Sequence, residues 1–163
     1  MNQAAGKLRL VVNIYWRLGA GLYSVALNTI VMPARNPKPS IYQLKIRLLD
    51  IHPPIWRRVQ VPSLIPLHCL HDAFQAVLGW TDSHLHRFEK DGKCWGIPEY
   101  EFTELDLIDE RKTLLAQVLN SRGASMIYLY NFGEDWRHQV TLEKILWTSD
   151  GMKTPICIGG RRR

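Results

Sequence analysis

The chemistry available to this 163-residue chain rests on its histidines, cysteines and tryptophans. His84-x-His86 on an extended segment puts both imidazoles on one face, a spacing that can chelate a transition metal. His138, with Glu134 or Asp135 beside it, offers further ligands. It lies beyond the polar turn of a separate hairpin, however, with no sequence reason to meet the other pair. Four ligands are not assembled, so neither a metal nor another cofactor is expected. Asp135 and His138 are also a conceivable orienting pair for proton transfer. No nucleophile completes that pair, and no catalytic residue is assigned. Cys69 sits between Leu67 and Leu70 in a helical pattern and is expected to pack, while Cys94 beside Trp95 has no activating cation. Trp80 follows a helix-ending Gly79, and Trp136 follows Gly133-Glu134-Asp135. Both stand at element ends flanked by polar residues, where clefts form. The expected binding surface is therefore Trp80, His84, His86, Phe88, Asp135, Trp136, Arg137 and His138.

These residues need a sheet to hold them. Ile41 to Asp50 alternates Tyr42, Leu44, Ile46 and Leu48 against Gln43, Lys45 and Arg47, the period-two pattern of a half-buried strand. Ile55 to Val61 resumes it after His52-Pro53-Pro54, which predicts an antiparallel hairpin. Leu67, Leu70, Phe74, Val77 and Leu78 recur at helical spacing before Gly79, predicting the main helix. Ser83 to Glu89 and Lys93 to Ile97 read as strands around Asp91-Gly92. Leu114 to Leu119 reads as a short helix. Ser125 to Phe132 and Trp136 to Leu146 read as a last hairpin. The order ββαββαββ implies an α+β fold: an antiparallel sheet of hairpins, with one main helix and a shorter helix packed on one face.

Charge separates the ends from the middle. The net charge is +6, yet residues 1–40 carry five Lys or Arg and no acid, and the chain ends in Arg161, Arg162 and Arg163. Between them, thirteen basic residues face all fifteen acids, leaving residues 41–160 at −2. The basic termini make nucleic acid an alternative partner, and the acidic middle opposes it. Cys69, Cys94 and Cys157 are odd in number without CxxC spacing, which argues against a disulfide framework or a zinc ribbon. Reduced thiols and a cytoplasmic location follow. Leu18 to Met32 is the only long uncharged run, and as a helix it rises about 22 Å, short of a bilayer core of about 30 Å. A membrane partner is not expected. Residues 1–40 read as a non-folding leader or an over-extended start, with Met32 as the expected first residue, and the folded domain runs from 41 to 146.

Three blocks carry a resemblance: IYQLKIRLLDIHPPIWRRVQVP at Ile41 to Pro62, LHDAFQAVLGWTDSHLHRF at Leu70 to Phe88, and YLYNFGEDWRHQVTLEKI at Tyr128 to Ile145. Together they resemble the plasmid pRiA4b ORF-3-like family, also labelled passenger or TnpR-like proteins of insertion sequences. The resemblance implies a fold and a mobile-element setting, not a reaction. Family members continue past Cys157-Ile158-Gly159-Gly160 into an acidic tail, so residues 147–163 read as a truncated tail. The label brings a resolvase to mind, and His84-Leu85-His86-Arg87 fits the HxxR of tyrosine recombinases. Scissile phosphate chemistry needs several cations and a placed nucleophile, which this stretch lacks. The reading is a non-catalytic binding or adaptor domain for a protein or small-molecule partner. A nucleic-acid-binding accessory protein and a metal-dependent enzyme are the alternatives.

Overall fold

The computed structural model describes residues 15–18, 21–24, 40–99, 106–147 and 153–162. Two short strands, β1 (Tyr15–Leu18) and β2 (Gly21–Ser24), pair antiparallel with Tyr15 opposite Ser24. The rest of the expected leader, including most of the apolar run to Met32, lies outside the described residues.

From Ser40 onward the alternation seen in the sequence becomes the centre of a sheet. β3 (Ser40–Leu48) pairs antiparallel with β4 (Trp56–Pro62) on one side and with β9 (Trp136–Trp147) on the other. Helix α1 (Leu67–Leu78) follows β4. Then come β5 (His86–Lys90), β6 (Lys93–Gly96), β7 (Leu107–Asp109), the single-turn α2 (Leu115–Val118), β8 (Ser125–Tyr130) and, beyond β9, β10 (Ile156–Arg161). The sheet order is β10-β4-β3-β9-β8-β5-β6-β7. Leu44, Ile46, Val59, Val61, Phe88, Tyr128, Val140 and Leu142 project from one face and close a core with Leu67, Leu70 and Phe74 of α1 and Leu115 and Val118 of α2. Burial of this apolar surface is the main force holding helix to sheet.

The expected fold class is overturned. From Ser40 onward the described residues are built on one eight-stranded mixed sheet, not on an antiparallel set of hairpins carrying two packed helices. β6 and β7 run parallel, with Cys94 opposite Leu107, and β10 pairs with the free edge of β4. Among the described residues the helical part is α1 with 12 residues and α2 with 4. β7 is three residues long and carries no readable period. β10 reads Ile-Cys-Ile-Gly-Gly-Arg, a composition poor for a strand. Gly160 explains that composition. A side chain there would stand 2.7 Å from Arg57 Cδ and 3.1 Å from the Trp56 carbonyl, so only glycine lets β10 approach β4. Among the described residues no helix is long and apolar enough to cross a membrane.

Candidate functional site

The apolar stripe of α1 contains two polar intruders one turn apart, His71 and Gln75, both buried. Residues four apart share a helix face, so both point at the sheet beside Leu67, Leu70 and Phe74. At Gly79 the chain takes a left-handed conformation (φ 79°), and the N–H groups of Gly79 and Trp80 both donate to the Gln75 carbonyl at 3.0 Å. This sharp end returns the loop over the helix. Asp82, at φ 52°, donates its backbone N–H to Gln75 Oε1 at 2.9 Å.

That bond fixes the direction of the network behind it. With its oxygen occupied, Gln75 turns its NH₂ to the Tyr128 hydroxyl at 2.9 Å. The hydroxyl gives its own hydrogen to His71 Nδ1 at 2.8 Å, and His71 Nε2–H donates to Asp82 Oδ1, also at 2.8 Å. The His86 ring lies flat on His71, with centroids 3.5 Å apart and planes 8° from parallel. Its Nε2 is held by both oxygens of Glu110, at 3.1 and 3.0 Å. Glu110 is placed by the turn after β7, where its N–H donates to the Gly96 carbonyl. The side chains of His71, His86 and Glu110 are 4%, 7% and 1% exposed, whereas Asp82 is 59% exposed. The cluster is a buried floor with one wet edge. Burial depresses the His71 pKa, and the neighbouring His86 pushes it the same way, while Asp82 and Glu110 partly offset both. Burial raises the Tyr128 pKa, which keeps it a neutral phenol.

Beside this floor lies an aromatic group. Trp80 stacks on Tyr130 at 4.6 Å, and Trp136 lies 5.1 Å from Trp80. His84 meets the edge of Tyr130 at 5.7 Å, and His138 meets the edge of Trp80 at 5.1 Å. Of the residues singled out from the sequence, Trp80, His84, Trp136 and His138 therefore share one neighbourhood. His86 sits apart from His84, in the cluster with His71. Phe88 is fully buried against Phe74 and Tyr128. Asp135 is in the turn at φ 51°. Arg137 points to the opposite face of the sheet, where it donates to Glu89 at 2.7 Å. His138 is fully buried, its Nδ1–H donating to the carbonyls of Trp136 and Tyr128, and burial lowers its pKa to about 4. Cys69 lies 3.2 Å from His68 Nε2, and no disulfide links the three cysteines.

Sequence reasoning missed His71, Gln75, Asp82, Glu110 and Tyr128. The available signal was the pair His71 and Gln75, polar residues at i and i+4 inside an apolar stripe. A surface concavity of about 690 Å³ lies elsewhere, at Gln43, Arg58, Arg122, Thr141 and Glu143 on the far face. It is open, and two of the charges that line it, Arg58 and Glu143, already pair with each other. The histidine cluster is the better candidate because its polar groups converge out of water.

Among proteins similar to this chain, the uncharacterized protein y4hQ of Sinorhizobium fredii is 37% identical over 105 residues. That match covers 64% of this chain and 54% of the relative, so the chain spans about half the length of that curated protein. The crystal structure of a protein of unknown function, MM3350, from Methanosarcina mazei Go1 is similar at 37% identity with a TM-score of 0.65. It covers 76% of this chain and 70% of its own. A family model described as plasmid pRiA4b ORF-3-like protein matches residues 40–163, and the chain belongs to that family.

Proposed function

We propose that the domain is a non-catalytic binding module, in the mobile-element setting its resemblance implies, which takes a cationic group of a partner on the aromatic rim of Trp80 and Trp136, backed by the buried Tyr130. The observation that carries this reading is the contiguous stack of Trp80 on Tyr130 with Trp136 alongside, the last 36% exposed at a hairpin end. Aromatic faces attract ammonium and guanidinium groups, most strongly where water is partly excluded. The exposed residues around the rim include three acids, Asp82 in one loop and Glu134 and Asp135 in the other, and among the described residues no Lys or Arg. Carboxylates beside aromatic rings favour Lys or Arg of a peptide and repel phosphate. On the far face Arg58 pairs with Glu143, and Arg87 and Arg137 with Glu89, while Arg47 bonds the neutral Gln139. The net acidity of residues 41–160 opposes the nucleic-acid reading, which needs an excess of cations to displace counterions.

Selection of a displayed random-peptide library on the full chain tests the proposal. Enrichment of Lys- or Arg-containing peptides is expected, with affinity falling at least tenfold in Trp136→Ala, about 2 kcal/mol for an aromatic anchor. Asp135→Asn, which tolerates the positive φ, weakens the same peptides. Absence of enrichment, or binding indifferent to Trp136→Ala, sinks the reading. Tight, salt-sensitive binding of duplex DNA favours the accessory-protein alternative instead.

A further inference from the structure

We propose that the concavity on the far face of the sheet binds a phosphate monoester of a small molecule, with Arg58, Arg122, Lys144 and Thr141 on the phosphate and Ile158 against the carbon skeleton. The site lies on the other face from the aromatic rim and does not rest on the binding reading above.

Local departures from regular pairing build this concavity. In β9, Gln43 pairs with Lys144 and Leu44 with Leu142, so Glu143 is an extra residue and Lys144 stands on the far face opposite Gln43. In β10, Cys157 pairs with Val59 and Gly159 with Arg58, so Ile158 is the extra residue there. A bulge lets two successive residues face the same way. The first brings Lys144 out beside Glu143, and the second leaves Ile158 next to Gly159, which sets no side chain over Arg58. Both bulges aim at one hollow, since Glu143, Lys144 and Ile158 line it together with Arg58. The loop that carries Arg122 is fastened to the same strand: Gly123 N–H donates to the Leu142 carbonyl at 2.8 Å, and Leu142 N–H donates to the Ala124 carbonyl at 2.9 Å. The space they enclose, about 690 Å³, is of the size that holds a small organic ligand.

Charge names the ligand. The lining carries three cations, Arg58, Arg122 and Lys144, against the one carboxylate of Glu143, a net of +2. That carboxylate is already answered, because Arg58 donates to it from Nε at 2.6 Å and Nη2 at 2.8 Å, and the buried Gln43 amide donates at 2.9 Å. The remaining N–H groups of Arg58 are open to a ligand. Among the described residues neither Arg122 nor Lys144 pairs with a carboxylate. Lys45, opposite Arg58 on one side and Thr141 on the other, adds positive potential from the neighbouring position. A phosphate monoester carries a charge of about −1.5 to −2 at pH 7 and presents several acceptor oxygens, which matches both the net charge and donors arriving from separate elements. A phosphodiester carries a single charge and matches neither. Arginine and lysine side chains offer donors only, as acceptor oxygens require. Ile158, apolar and 44% exposed, gives the alkyl or ring part of the ligand a surface to lie on.

Calorimetric titration of the full chain with phenyl phosphate tests the site. One molecule per chain is expected, with a Kd below about 1 mM. Arg122 and Lys144 are exposed, so Arg122→Gln and Lys144→Gln leave the fold intact, and each is expected to weaken binding about tenfold. Arg47→Gln removes the same charge from the same face outside the hollow and is expected to leave the affinity unchanged. Ile158→Ser is expected to weaken phenyl phosphate and to leave inorganic phosphate as it was. Oligothymidylate without a terminal phosphate, which offers diesters alone, is expected not to displace phenyl phosphate. Absence of saturable binding by the wild-type chain overturns the proposal, as does binding that Arg122→Gln and Lys144→Gln leave untouched. Equal weakening by Arg47→Gln also overturns it, by assigning the effect to the general field of the face. Displacement by oligothymidylate overturns it in favour of nucleic acid.

Discussion

Protonating His138 places a charge among Trp80, Tyr128 and the sheet, with no water to solvate it. Its Nδ1–H is committed to two carbonyls and its Nε2 has no partner among the described residues, so the neutral ring is the form that fits. The folded pKa of about 4 lies below the ordinary 6.5. Between those values the unfolded chain binds the extra proton, so stability rises with pH across that window and is level above it. A shift of that size corresponds to about 2–3 kcal/mol lost on acidification to pH 4. His138→Gln, whose amide can donate to the same carbonyls, is expected to flatten the slope of unfolding free energy between pH 4 and 6.5. An unchanged slope removes His138 as its source. The sequence marked His138 as a site residue because histidine titrates near neutrality. Its burial was visible only in alternation with Val140 and Leu142, which places it on the core face. His84 and His86 posed the reverse problem. Their spacing was read as one chelating pair, but His84 belongs to the loop before β5 and only His86 to the strand. The loop turns one ring onto Tyr130 and the strand directs the other onto His71.

Strands with a clean period of two were legible, and those broken by local devices were not. β9 illustrates both. Its buried positions His138, Val140 and Leu142 follow the pattern, then Gln43 pairs with Lys144 and Leu44 with Leu142, leaving Glu143 as an extra residue. This bulge resets the phase and turns Glu143 onto the far face beside Arg58. No residue type announces it. The end of α1 was legible through Gly79, but its anchor comes from a distant strand. Arg57 of β4 donates Nε–H to the Val77 carbonyl at 2.9 Å and Nη1–H to the Trp56 carbonyl at 2.9 Å. A cation at the last turn satisfies a carbonyl the helix leaves open and suits the negative end of its dipole. Arg57→Ala is therefore expected to cost about 1–2 kcal/mol, since charged hydrogen bonds exceed neutral ones. The measurement is a lower urea midpoint with an unchanged m-value. A midpoint within error of wild type assigns that helix end to packing alone. The same arginine lies against Gly160 of β10, a long-range contact that explains why the last strand could not be read from its own residues.

At the scale of the whole molecule the sheet has two unlike faces, one closed by α1 and α2 and one stitched by ion pairs that each skip a strand. Arg58 on β4 reaches over β3 to Glu143 on β9, with Nε at 2.6 Å and Nη2 at 2.8 Å, and Gln43 on the strand between donates to the same carboxylate at 2.9 Å. Arg137 on β9 reaches over β8 to Glu89 on β5, which also accepts from Arg87. Because the strands involved come from residues 43 to 143, these links tie the first hairpin to the last. The hydrogen bonds from Arg58 hold the Glu143 pKa at about 2, against an ordinary 4.5, with burial opposing the shift and Gln43 assisting it. A depressed carboxylate contributes stability that is fully present above its unfolded pKa and is lost as pH falls through the folded one. For Glu143 that window runs from 4.5 to about 2. Both partners are partly solvated, so screening reduces the contribution to about 1 kcal/mol. Glu143→Gln keeps the shape and removes the charge. It is expected to be less stable than wild type by that amount from pH 7 to 5, with the difference closing as pH falls toward 2.5. Denaturant midpoints of the two chains at pH 7, 4 and 2.5 decide it, and raising salt at pH 7 should also narrow the gap. The window lies almost wholly below that of His138, so the two titrations separate on the same pH axis. A difference that persists undiminished at pH 2.5 assigns the effect of Glu143 to its hydrogen bond with Gln43 rather than to its charge.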